Sequence, residues 1–163
     1  MILMAKWLRK KGIKAQLIGV DANPNIIHYA ERHCSDYPEI SFKCLDIFSE
    51  EFRSLKMDIV HSSLFTHHFT QEQLIRFFAQ LRQQARIGII INDLHRHWLA
   101  YYSIKLITRL FSKSAMVRND AAVSVARGFR RSELETVLRE ANIPNHQINW
   151  KWAFRWKVVA ETT

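Results

Sequence analysis

Three carboxylates close apolar runs in this sequence: Asp21 ends "LIGVD", Asp46 ends "ISFKCLD" and Asp93 ends "RIGIIIND". An ionised carboxylate so placed accepts charge-assisted hydrogen bonds. Ser62 and Ser63 end a further run, "MDIVHSS", and His67 and His68 follow shortly after it. Either imidazole could take a proton from a hydroxyl near neutral pH, although adjacent histidines also serve as plain helix-entry residues. "HRH" gathers His95, Arg96 and His97 behind Asp93. The cluster invites a metal, but no acid or thiolate recurs at ligand spacing; the expectation is no metal site and a substrate-facing patch. Arg127, before Gly128 and Phe129, suits either an anionic ligand or an ion pair.

These groups need elements to hold them. Apolar residues at Leu3, Met4, Trp7 and Leu8 have helical spacing and stop at Gly12, so residues 2–11 read as a helix. "AQLIGVD" suits a strand buried on both faces of a parallel sheet. Pro24 fits a first helical turn, and the helix it opens runs to about Cys34. "ISFKCLD" and "MDIVHSS" read as strands, residues 71–84 as a helix, "RIGIIIND" as the most apolar strand, and "WLAYYSIKLITRLF" as an amphipathic helix. Ser132 with Glu135 looks like a capping box for "SELETVLREAN". The final "INWKWAFRWKVVAE" alternates Trp150, Trp152, Phe154 and Trp156 with other residues, a hairpin whose aromatic face packs in the core. Alternating helices and strands predict an α/β fold: a Rossmann-like, mostly parallel sheet with a C-terminal antiparallel hairpin.

With 163 residues, 48% of them hydrophobic, the chain is the size of one domain spanning 1–163. The formal net charge of +9 makes nucleic acid, acidic lipid or an anionic ligand electrostatically plausible partners, but the basic residues are scattered, as on solvated faces. Cys34 and Cys44 lack metal-ligand spacing and fit a reducing compartment, as inert packing residues. "MILMAKWLRKK" reverses the order of a secretory signal, and no run is long enough to span a membrane; a cytoplasmic location is expected.

In open parallel sheets ligands collect outside the carboxyl ends of the strands, where these acids fall. An acid closing the second strand of a nucleotide-binding unit can accept from both ribose hydroxyls, and Asp21 fits that position; Asp21 and Asn23 before Pro24 also suit helix capping. Such an acid follows its glycine loop by about 20 residues. That spacing puts the loop at or before Met1, and the four glycines, at 12, 19, 88 and 128, supply no substitute.

The chain resembles the class I S-adenosylmethionine-dependent methyltransferases, in particular small-molecule enzymes of the quinone-biosynthesis type. "LIGVDANPNIIHYAERH" is similar to the ribose-binding segment, "ISFKCLDIFS" to the adenine-flanking segment and "MDIVHSSLFTHHF" to the fourth strand and its loop. "IIINDLHRHWLAYY" and "VRNDAAVSVARGFRRSELETVLREANI" resemble the fifth strand, a substrate-covering insertion and the next helix. The resemblance implies S-adenosyl-L-methionine as cofactor, with Asp21, Ala22 and Asn23 at the ribose, Asp46 and Ile47 beside adenine, and Ser62 and Ser63 near the sulfonium. It implies His67 or His68 as the catalytic base, with Asp93, His95, Arg96 and Arg127 toward substrate. The family's first strand and Gly-x-Gly loop have no counterpart, so an N-terminally truncated enzyme, or a remnant without activity, is expected.

The expected chemistry is in-line transfer of a methyl group to a small hydrophobic or aromatic acceptor, with positioning and water exclusion carrying most of the catalysis. "WLAYYSIKLITRLF" would be a lid or substrate wall. Two other readings remain open here. One is a non-catalytic module binding nucleic acid or a partner protein through the basic surface, although nucleic acid is not the expected partner. The other is a nucleotide dehydrogenase using the same ribose acid.

Overall fold

The computed structural model describes residues 1–162 as two compact units, Met1–Leu55 and the part beginning at Lys56. In the first, α1 (Ile2–Lys10) precedes β1 (Leu17–Asp21), α2 (Pro24–His33), β2 (Ile40–Cys44) and α3 (Glu50–Ser54). Gly12 ends the first helix region at φ 67°, a left-handed conformation that a side chain resists. Pro24 occupies the first turn of α2, where its missing N–H costs nothing, and the Asn23 side chain accepts from Asn25 N at 2.9 Å. β1 and β2 pair in parallel from Leu17 opposite Ile40 to Asp21 opposite Cys44. Ala5, Cys34 and Ile40 form the small core, flanked by Ile2, Leu17, Tyr37 and Phe42. β1 is not buried on both faces as its composition suggested: Ile18 is 45% exposed. Cys44, too, is exposed rather than packed.

The second unit holds β3 (Met57–Ser63), a 3-10 turn (Thr66–His68), α4 (Gln71–Gln84), β4 (Ala85–Leu94), α5 (Trp98–Phe111), α6 (Ala115–Arg127), α7 (Arg131–Glu140), β5 (His146–Lys151) and β6 (Arg155–Glu161). Its sheet runs β3-β4-β6-β5, with β3 parallel to β4 and β6 antiparallel to both β4 and β5. The architecture is thus α/β with the hairpin at its C-terminal end, but the strands sort into two sheets of two and four. On β4, Ile89, Ile91 and Asp93 turn inward, while Ile90 and Asn92 are half-buried. α4 packs on β4 and on α7, placing Leu74, Phe77, Phe78 and Leu81 in a core shared with Leu134, Val137, Leu138 and Val158. Each such side chain contributes about 1.5–3 kcal/mol by leaving water.

Two local expectations change, and one helix forms where none was read. α7 is capped two residues upstream of the Ser132–Glu135 pair: the Glu133 carboxylate accepts from Arg130 N at 2.8 Å. Arg130 has no side-chain acceptor, so only this half of a capping box forms. The aromatic face of the hairpin is not a core face, because residues 152–154 form the turn and break the alternation; Trp156 is buried, whereas Trp152 is 86% exposed. α6 is a full helix in a stretch with no apolar periodicity.

Candidate functional site

In the first unit, parallel pairing brings the carboxyl ends of β1 and β2 to one edge. Leu45 N donates to Asp21 O at 3.0 Å, locking that edge just before Asp46. Asp21 Oδ1 accepts from Asn23 N at 2.8 Å, and Asp46 Oδ1 accepts from Phe48 N at 2.9 Å. Each is an Asx turn that holds its carboxylate at the strand end. Asp46 does not cap the helix that follows; Ser49 does, accepting from Phe52 N. Asp21, Ala22, Asn23 and Asp46 are exposed, with Ile47 half-buried beside them. The ribose and adenine candidates thus share one solvent-facing rim.

In the second unit the organising group is Asp93. Because β3 and β4 run parallel with Ser63 opposite Asn92, the loop leaving β3 passes the end of β4. Asp93 Oδ2 accepts from Thr66 Oγ1 at 2.6 Å and Thr66 N at 2.7 Å, and from Phe65 N and His67 N at 3.2 Å. Asp93 Oδ1 takes Leu94 N at 2.7 Å and His67 Nδ1 at 2.6 Å. Burial would raise the Asp93 pKa, but hydrogen bonds from His67, Thr66 and Leu94 N outweigh it and hold the carboxyl below its ordinary value of 3.8. Asp93 is only 1% exposed and fully engaged, so it does not face a substrate as expected; it pins the loop. Leu64, at φ 53°, makes the bend into that loop.

The histidines divide in role. His67 is buried against Asp93, whose carboxylate accepts a hydrogen bond from Nδ1 and leaves Nε2 as the other ring position. His68 packs its ring 4.2 Å from that of His67 but is exposed. Burial of part of its ring and the neighbouring His67 push its pKa below 6.5; Asp93 opposes the shift and Arg127, from the end of α6, adds to it. Asn92 Nδ2 donates to Ser63 Oγ at 3.3 Å, and Ser62 Oγ is buried without a hydrogen-bond partner among the described residues.

The "HRH" residues point elsewhere. His95 Nδ1 accepts from Trp150 Nε1 at 3.2 Å, and its ring lies 4.8 Å from Trp156; burial and His97 lower its pKa. Arg96 is ion-paired to Glu133, so its charge is committed within the fold. His97 caps α5, its Nδ1 accepting from Leu99 N at 3.2 Å. Thr66, Asn92 and Glu133 escaped the sequence reading. Strand adjacency could have found the first two, since residues just past one parallel strand lie beside the end of the next; nothing local marked Glu133.

A methyltransferase-domain family model matches residues 3–88, more than half the chain. The chain belongs to this methyltransferase-domain family. Among solved structures, the citrinin polyketide synthase CMeT domain superposes with a TM-score of 0.72 at 11% identity, covering 100% of this chain and 43% of that one. The plantazolicin methyltransferase BpumL, solved with a substrate analogue and SAH, gives 0.70 at 18% identity, with 97% of this chain and 71% of that one covered. Magnesium protoporphyrin IX methyltransferase from Synechocystis PCC 6803, with bound SAH, gives 0.61 at 14%, with 98% and 80% covered. At these identities the likeness is one of fold, the α/β Rossmann-like fold of methyltransferases. The chain spans about half the length of the first solved structures it matches, 53% and 44%. No curated protein sequence matches it significantly.

Proposed function

We propose that this methyltransferase-family chain binds S-adenosyl-L-methionine and takes part in methyl transfer to a small, hydrophobic or aromatic acceptor in the cytoplasm. The observation that carries the reading is the shared rim of β1 and β2. An exposed Asp21 carboxylate held by its Asx turn, with Asp46 and Ile47 one strand over, suits an adenosine whose ribose hydroxyls donate to the acid. When bound, the cofactor supplies an electrophilic sulfonium methyl, so the protein's contribution is alignment and exclusion of water.

Within the second unit, His68 is the proton acceptor and the His67–Asp93 pair positions it. His67 is too buried to meet a substrate freely, whereas His68 is exposed and its lowered pKa leaves a neutral, proton-accepting ring at pH 7. The Arg127 charge, which acts on this ring, favours an acceptor that becomes anionic as it loses its proton.

Calorimetric titration with S-adenosylhomocysteine tests the rim. Asp21→Ala is expected to weaken binding at least roughly tenfold, the scale of a charge-assisted hydrogen-bond pair. Equal binding by this variant removes the assignment.

A further inference from the structure

α5 turns its apolar residues outward. Trp98, Leu99, Tyr102, Leu106 and Leu110 follow one helical stripe and all are exposed, Trp98 and Leu110 each by 68%. Phe111, the last residue of α5, is 84% exposed, and Met116 at the start of α6 is exposed as well. This reverses the usual arrangement, in which the apolar stripe of a surface helix faces inward. Lys105 and Arg109 border it, Lys113 and Arg118 follow, and no acid occurs between Leu94 and Asn119.

The surface continues onto the C-terminal hairpin through ring contacts. Trp98 stacks on His97 at 5.7 Å, His97 on Phe154 at 5.3 Å, and Phe154 meets Trp150 edge-on at 6.2 Å. Trp152 projects from the turn between these last two, and Lys151, Arg155 and Lys157 border an open depression beside it. No acid occurs from His146 to Ala160. Exposed Trp and Tyr, aliphatic side chains and acid-free cationic borders are the combination that suits the headgroup region of an anionic bilayer. A single-stranded nucleic acid would use the tryptophans, but Leu99, Leu106 and Leu110 have no π face on which a base can stack.

We propose that the outer face of α5, continued by the Trp150–Phe154 turn, docks this protein on the surface of anionic lipid membranes. It lies on the interface without spanning, since no helix among the described residues is long and apolar enough to cross a membrane. Independently of the methyltransfer reading, this surface would hold the protein where hydrophobic compounds concentrate.

Flotation of the full chain with vesicles of phosphatidylcholine alone, and of phosphatidylcholine with phosphatidylglycerol at about 3:1, tests this. Partition is expected to be at least roughly tenfold stronger on the anionic vesicles and to weaken with added salt. Leu106→Glu with Leu110→Glu should reduce partition by roughly tenfold or more while the far-ultraviolet circular dichroism stays unchanged. Should that pair unfold the chain, Lys105→Glu with Arg109→Glu, at exposed polar positions, is expected to cause a loss of similar size. Equal partition onto both vesicles, insensitivity to the folded variants, or vesicle binding abolished by a single-stranded oligonucleotide overturns the proposal. So does sedimentation showing that the stripe is already covered by a second copy, in a dimer that the Leu106/Leu110 variant dissociates.

Discussion

At the scale of single residues, Asp93 is the most committed group in the described chain. One buried carboxylate receives three backbone N–H groups from the Phe65–His67 segment, its neighbour's N–H, a hydroxyl and an imidazole. Asp93→Asn replaces an acceptor-only group with one whose NH2 must face donors, and it should destabilise the second unit by roughly 3 kcal/mol in chemical denaturation. The pH dependence has a definite sign. Because the folded carboxyl titrates below 3.8, its stabilisation is fully present above that value and disappears as pH falls through the lower folded value. The acid limb of a stability–pH curve should therefore flatten in the Asn variant; an unchanged limb excludes Asp93 as its source. The sequence made this acid visible, because it closes an apolar run, but not its use. The choice between facing solvent and gripping a loop depends on which inter-strand neighbour arrives beside it, and that is long-range information.

At the scale of elements, legibility followed periodicity. The stretches with helical spacing, residues 71–84 and 98–111, match α4 and α5 residue for residue, since each carries a clear apolar stripe and a capping residue at its start. The stripe of α5 nevertheless faces outward, because periodicity reveals that a stripe exists but not what covers it. α6 lacked the signal, and only Ala122 and Val125 along it are buried, so packing rather than pattern defines it. The rim bearing Asp21 and Asp46 was readable because each acid ends a short apolar run. The Ser132 cap was misplaced because Glu133 competes for the same helix start. α4 offers a direct test of local control. Thr70 Oγ1 accepts from Gln73 N at 3.3 Å while Gln73 Oε1 accepts from Thr70 N at 2.9 Å, a reciprocal box at the helix entry. Thr70→Ala should cost about 1 kcal/mol of stability, read from the denaturation midpoint at constant m-value.

At the scale of the whole molecule, apolar burial is distributed unevenly. Among the described residues, the largest fully buried side chains, including Phe78, Leu81, Ile89, Ile91, Leu138 and Val158, all lie beyond Lys56. Met1–Leu55 buries a smaller set, Ala5, Ile27, Cys34, Ile40, Leu45 and Phe52, and adds a two-stranded sheet and an exposed bidentate pair in which Arg9 reaches Glu39 at 2.6 and 2.7 Å. An exposed pair of this kind adds little in water, and a two-stranded sheet is marginal without further layers. Opening free energy should therefore differ between the units. Amide hydrogen exchange followed by mass spectrometry is expected to show β1 and β2 exchanging roughly a hundredfold faster than the Ile89–Ile91 segment of β4. Bound S-adenosylhomocysteine should narrow that gap by stabilising the rim it occupies, since a ligand that binds only the folded form raises its stability by mass action. Equal protection in the free protein would mean that the units open as one and that the small core is not the weak link. A gap unaltered by saturating ligand would mean that the ligand sits elsewhere than at Asp21.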